Sequence, residues 1–294
     1  MHKRLEGPIF LFFIFISVFG VITACSCSRM PEENSVNEQT LNDRDAWYTK
    51  YHVIAHSGGG IDGDIFTNSL EAWELSYERG VRIIDADLRF SSDGQVVLRH
   101  KWSDYMGEDY ENDKKPMDHD SFMKGRIMGR YTPMDLQSML DFMVSHEDVY
   151  VSCDAKCDIE GIYEQMLNKI REMDADDIQE RIIVSSYDYE DISVIKDKFS
   201  FSNFSIRQYP RHKHDYSELA GYCVENKIPV VMIWRDFLDD EGLDILTDNG
   251  LTVWVAVIDD VNDIEGSRGI SGVVSNSLSE SDLEKIRNVS EQAE

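Results

Sequence analysis

The sequence predicts an α/β fold, a TIM (β/α)8 barrel, on three observations. Short apolar runs alternate with amphipathic segments from Val53 onward, and that alternation argues for a parallel sheet. About 250 residues carry the pattern, which is large for an ordinary single core but normal for one closed barrel. Histidine, aspartate and lysine side chains gather near the C-terminal ends of the runs, where barrels of this kind keep their chemistry.

Residues 1–24 read as an export signal: Lys3 and Arg4, an apolar stretch from Ile9 to Val21, then Ile22-Thr23-Ala24-Cys25. Small residues before a cysteine resemble the lipobox of bacterial lipoproteins, which implies lipidation at Cys25. It also implies export to the bacterial cell envelope and attachment to the membrane through the lipid. The apolar core of about 13 residues falls short of the ~20 that span a bilayer, which disfavours an uncleaved anchor. Residues 25–45 are rich in Glu, Asn, Ser and Gln with almost no large apolar side chain, and read as a flexible tether. Residues 46–294 read as one barrel domain.

Within that domain the candidate strands are Val53 to His56, Val81 to Leu88, Val96 to His100, Val149 to Lys156 and Ile182 to Ser186. Phe204 to Gln208, Val230 to Trp234, Thr252 to Ile258 and Gly272 to Ser275 complete the set. Nine runs compete for eight barrel positions, and Val230 to Trp234 is expected to be the extra one. Amphipathic segments such as Ser69 to Arg79, Pro133 to Val144, Gly161 to Met173, Ser217 to Asn226 and Gly242 to Asp248 are expected to be the outer helices. The loop from Ser103 to Thr132 is far longer than an ordinary βα connection; it reads as a functional lid or as a disordered insertion. Cys153 and Cys157 are too far apart along an extended strand to form a bridge, and both are expected to be buried thiols beneath the helices.

The formal net charge is −27, and removal of Lys3, Arg4 and Glu6 with the signal would make it −28. A phosphate polymer would be repelled by such a chain, so nucleic acid is excluded as a partner. No protein partner is predicted.

His56 and His100 end two neighbouring apolar runs and bracket a third that carries Asp85 and Asp87. Residues two apart on a strand share a face, so the two aspartates can converge on one cation between two imidazoles. Both acids lie within an apolar run, where an unpaired carboxylate is costly. The layout points to a metal-dependent phosphodiester site. Asn68 either caps the helix beginning near Ser69 or contacts substrate. His119, His146, His212 and His214 lack companions at ligand spacing and read as surface groups. Gly58-Gly59-Gly60 is weak evidence for a phosphate cradle.

An ordered series of motifs carries a family resemblance. Ala55-His56-Ser57-Gly58-Gly59, then Asn68 and Glu71 at a helix start, Asp85-Ala86-Asp87 and the run from Asp93 to His100, and finally Asp154-Ala155-Lys156, together resemble the glycerophosphodiester phosphodiesterases. The resemblance implies His56 and His100 as the acid/base pair, and Asp85, Asp87 and Asp154 as ligands of a divalent cation, Ca2+ or Mg2+. It implies Lys156 as a phosphate-binding residue and a small-molecule or lipid-derived phosphodiester as substrate. The implied reaction is hydrolysis of glycerophosphodiesters to an alcohol and glycerol phosphate. Ser57 stands where the family has a phosphate-binding arginine, and Lys101 stands where it has an aspartate. Lys101 is expected to restore part of the charge missing at Ser57. A lyase of the phosphatidylinositol-specific phospholipase C type, or a phosphodiester-binding lipoprotein without turnover, are the alternative readings.

Overall fold

The computed structural model describes residues 46–103, 115–209, 215–264 and 269–284. The expected signal, the tether, Cys25, Cys27, His212, His214 and the first part of the Ser103 to Thr132 loop lie outside the described residues.

The strands are β1 (Val53–Ala55), β2 (Ile83–Phe90), β3 (Val96–Leu98), β4 (Tyr150–Ala155), β5 (Ile182–Ser186), β6 (Asn203–Gln208), β7 (Val230–Trp234), β8 (Thr252–Ala256) and β9 (Ile270–Ser275). The helices are α1 (Trp47–Lys50), α2 (Leu70–Glu78), α3 (His119–Lys124), α4 (Leu136–Ser145), α5 (Ile159–Glu172), α6 (Tyr189–Lys198), α7 (Tyr216–Glu225) and α8 (Asp240–Asp248). Parallel pairing runs β1-β2-β4-β5-β6-β7-β8-β9, and β9 pairs back onto β1, so eight strands close into the expected TIM barrel.

One expectation about the barrel is overturned. Val230–Trp234 is β7, an integral barrel strand between β6 and β8, and the extra strand is β3. β3 pairs antiparallel with the end of β2, Phe90 opposite Val96 and Leu88 opposite Leu98. The physical reason lies in the short turn from Ser91 to Gln95, since a parallel partner would need a crossover of a dozen residues or more. Between β8 and β9 the described residues hold a single helical turn, Val261–Asp263.

Strand alternation sorts the side chains into two cores. Val53, Ile84, Ala86, Val151, Cys153, Val184, Ile206, Val231, Val253 and Val273 face the helices. Ile54, Ile83, Ile183, Val230, Met232, Trp254 and Val274 fill the barrel interior, where Trp47 and Tyr48 of α1 join them. The indoles of Trp47 and Trp254 lie 5.9 Å apart. Gly272 accommodates Trp254, because a Cβ there would fall 2.7 Å from the indole. Above this apolar floor the interior positions turn polar: Asp85, Asp87, Ser152, Asp154, Ser185, Ser205 and Arg207 are all buried.

Cys153 is buried against the helix layer as expected, but Cys157 is exposed, because β4 ends at Ala155 and the chain has already turned outward. The described part of the long loop, including α3, packs Phe122 against Trp102 and Val97 of β3. Among the described residues, no helix is long and apolar enough to cross a membrane.

Candidate active site

His56 follows β1 directly and enters a tight turn in which Ser57, Gly58 and Gly59 all have positive φ. A Cβ at Gly59 would lie 2.2 Å from Ser76 Oγ, so the glycine run serves the close packing of this turn on α2. His56 Nδ1 lies 3.0 Å from Asn276 Oδ1. Asn276 is fixed in turn, its Nδ2 donating to Asp259 Oδ2 at 2.8 Å and its backbone N–H to Asp259 Oδ1 at 2.7 Å. An amide oxygen accepts only, so the Nδ1 of His56 carries the hydrogen, and in the neutral imidazole Nε2 is the nitrogen with the lone pair.

His100 reaches the same mouth by a different route from the strand-end rule. β2 overshoots the barrel, the hairpin turns back, and β3 brings the chain down again, with Arg99 N–H donating to Asp87 O at 2.7 Å. The Phe66 ring contacts both imidazoles, its centroid 4.7 Å from that of His56 and 4.6 Å from that of His100. No more than the sum of those two distances separates the histidines.

Asp85, Asp87 and Asp154 come together inside the barrel, as expected from their shared strand faces. Their partners are two basic side chains. Lys156 Nζ lies 2.9 Å from Asp87 Oδ1 and 2.6 Å from Asp154 Oδ2. Arg207, from β6, donates through Nη1 to Asp154 Oδ2 at 3.0 Å and through Nη2 to Asp85 Oδ1. Tyr187 OH also donates to Asp154 Oδ2, at 3.3 Å. Burial alone would raise the Asp87 carboxyl, yet Lys156 and His100, with hydrogen bonds from Ser57 and Asn68, hold it well below the usual carboxylate range. Burial opposes Asp154 in the same way, and Lys156 with Arg207 outweighs it. Burial would likewise lower Lys156, but Asp154 and Asp87 raise it, so the ammonium stays charged.

Two residues expected at the substrate support the acids instead. Ser57 Oγ donates to Asp87 Oδ2 at 2.6 Å, and Asn68 Nδ2 donates to the same oxygen at 2.8 Å. Both are fully buried. Asn68 also accepts from Asp87 N–H at 3.1 Å, and the cap of α2 is Ser69. A buried carboxylate needs every lone pair met, and these two side chains are the nearest donors.

The residues present do not fit the expected divalent cation as ligand set. Among the described residues no cluster of three or more His, Cys, Asp or Glu side chains is arranged to hold a metal ion. A hard cation takes about six or more oxygens, whereas the lone pairs of Asp85 and Asp87 face Arg207, Lys156, Ser57 and Asn68.

A cavity of about 520 Å3 opens over this arrangement. Its polar lining includes His56, His100, Lys101, Asp154, Lys156 and Arg207. Tyr209, Met232, Trp234 and Val274 add apolar and aromatic lining, and Phe66 lies against the two imidazoles. Lys101 is exposed at the rim.

Arg207, Asp259 and Phe66 went unnoticed in the sequence, and Asn276 was read only as half of Ser275-Asn276, standing where the family has a Thr-Asp pair. Arg207 alone carried a usable signal, being a charge inside an apolar strand two residues from Ser205 and therefore on the interior face. His119 pairs with Asp135 at 2.9 Å, and is therefore more than an unaccompanied surface group.

No protein-family model matches the sequence, and a search of curated proteins found no match. Solved structures do match. A protein of Silicibacter pomeroyi that carries the name glycerophosphoryl diester phosphodiesterase aligns with a TM-score of 0.65 at 18% identity, over 82% of this chain and 94% of that one. A glycerophosphodiester phosphodiesterase of Parabacteroides distasonis aligns with a TM-score of 0.63 at 16% identity, over 82% of this chain and 98% of that one. A phosphodiesterase of Oleispira antarctica, solved with the product sn-glycerol-3-phosphate, aligns with a TM-score of 0.61 at 16% identity, over 81% of this chain and 96% of that one. At these identities the likeness is one of fold, the (β/α)8 barrel over most of the chain.

Proposed function

We propose that this barrel is a phosphodiesterase of the glycerophosphodiester phosphodiesterase kind, cleaving a glycerophosphodiester to an alcohol and glycerol phosphate. The observation that carries the reading is the meeting of His56 and His100 over Lys156 and Arg207 at one cavity. The barrel shared with the phosphodiesterases above, and the ordered motifs that resemble theirs, support it.

In this reading His56 is the base, because Asn276 holds its Nδ1 hydrogen and leaves Nε2 able to accept one. It removes the proton from the hydroxyl next to the ester, the oxygen attacks phosphorus, and His100 protonates the departing alkoxide. The cyclic phosphate then opens to water with the two roles exchanged. Lys156 and Arg207 supply positive charge beside the equatorial oxygens as the negative charge on them grows. Lys101 at the rim attracts the anionic group. No step is assigned to a metal, since the carboxylates already hold Lys156 and Arg207. The apolar lining residues Met232, Trp234 and Val274 take the alcohol end, which suits a lipid-derived substrate. We further propose that the chain is exported and anchored through a lipid on Cys25, which Cys25→Ser should release from the membrane fraction.

The test is a screen of glycerophosphodiesters and inositol phospholipids, with His100→Ala as the blank. Cleavage by the parent chain and loss of about 10²-fold or more in the variant is the expected result. Equal rates in the two proteins would remove the reading.

A further inference from the structure

Arg207 lies in a place built for a guanidinium. It projects from β6 into the interior, with Nε donating to Ser185 Oγ at 2.7 Å and Nη2 to Ser152 Oγ at 3.0 Å, besides the bonds to Asp85 and Asp154. Ser185 is itself paired with Ser205 Oγ at 2.8 Å. Three small hydroxyl residues on three neighbouring strands thus clear and line the space that one planar fork fills.

We infer that Arg207 is the resident cation of this site, occupying the position between Asp85 and Asp154 that the resemblance gives to a divalent ion, so that the chain acts on phosphodiesters without one. This rests on the phosphodiesterase reading above. Coordination, charge and the placement of basic residues along the chain each support it. The first is coordination. Asp87 is taken up by Lys156, Ser57 and Asn68, and Asp85 by Arg207, with Ser57 N–H 3.5 Å from its other oxygen. Only Asp154 keeps a carboxyl oxygen without a partner among the described residues, too few for a cation that requires an oxygen shell.

The second is charge. Three acids against Lys156 and Arg207 leave one negative charge, and a single protonated imidazole cancels it. A divalent ion added to the same cage would face both fixed cations, with one negative charge left to offset its two positive ones. The third is accounting across the sequence. The positive group missing at Ser57, where the family has arginine, reappears at Arg207 on the opposite wall. Four of its five N–H groups are engaged, and the remaining Nη1 hydrogen belongs to a side chain that lines the cavity. It is the donor available to a phosphoryl oxygen beside Lys156.

The experiment titrates the full chain, stripped with EDTA, with CaCl2 and with MgCl2 in a calorimeter and in thermal melts, and in parallel follows glycerophosphocholine cleavage with EDTA or with added metal. Expected are no saturable binding that depends on Asp85, an unchanged melting temperature, and cleavage rates that agree within about twofold. Arg207→Ala should gain binding of one Ca2+ per chain, lost again when Asp85→Asn is added. If Arg207→Ala does not fold, Arg207→Gln takes its place, and the titration of the parent chain decides alone. One Ca2+ or Mg2+ bound per chain, raising the melting temperature and abolished by Asp85→Asn, would overturn the inference. So would cleavage that appears only with metal, although the phosphodiesterase reading would then stand. Absence of cleavage under every condition removes that reading, while the titration still decides which cation the cage holds.

Discussion

At the scale of single residues, the candidate site is set by what stands behind each side chain in it. His56 was legible as a strand-end histidine, but its tautomer comes from Asn276, 220 positions away in the chain, and from Asp259 behind it. Asn276→Ala should lower kcat by about 10²-fold and leave KM nearly unchanged, because the imidazole would lose its fixed tautomer and not its place in the cavity. Steady-state kinetics check this, and an unaltered kcat would contradict the role given to Asn276. Lys101 is exposed at the rim, and the part proposed for it is attraction of an anion through solvent. Lys101→Ala should raise KM several-fold at low salt and by less at high salt, where screening already weakens the attraction. A KM indifferent to both the substitution and the salt would remove Lys101 from the site. Ser57 and Asn68 teach the converse lesson. Their motif positions mark them as substrate contacts, yet the deep burial of Asp87 claims both as donors, and nothing in local sequence reveals how deep a carboxylate will lie.

At the scale of elements, hydrophobic period made most of the barrel readable. Aspartates cap the helices repeatedly: Asp118, Asp135, Asp158, Asp215 and Asp239 each accept from a backbone N–H in the first turn of α3, α4, α5, α7 and α8. Part of the acidity of the chain is therefore structural. Asp135 carries the most, accepting from Ser138 N–H at 2.8 Å, from Ser138 Oγ at 2.6 Å and from His119 Nε2 at 2.9 Å. Asp135→Ala should cost about 1–2 kcal/mol of folding free energy, read as a lower urea midpoint at constant slope. A midpoint that stays in place would show the cap to be idle. The element misjudged was β3. Its apolar period matches that of a barrel strand, and only the length of the turn before it separates a hairpin from a crossover. That hairpin carries His100 to the mouth, so the topology of one short strand decides whether the two histidines meet.

At the scale of the whole molecule, the buried charge network makes folding depend on acid. Asp87, Asp154 and Asp135 are all held below their ordinary value of 3.8. A carboxyl depressed in the folded chain contributes stability that is fully present above its unfolded value and is lost as pH falls through the folded one. Stability measured by urea unfolding should therefore hold from neutrality down to about pH 4 and fall below it, although protonation of exposed acids relieves repulsion in a chain of net charge −27. Stability that increased steadily into acid would mean that self-repulsion outweighs the buried pairs. The sequence by itself determined the barrel, most strand and helix positions, and the gathering of His56, His100, Asp154 and Lys156 at one mouth, because a period of two or of 3.6 states which face of each element is buried. Only the tertiary structure decided which apolar run lies outside the closed sheet and which cation each buried acid takes. Those choices depend on encounters across the barrel. Arg207 meets Asp154 over 53 positions and Asp85 over 122, and a local pattern records that a charge will be buried without recording the partner that makes its burial bearable.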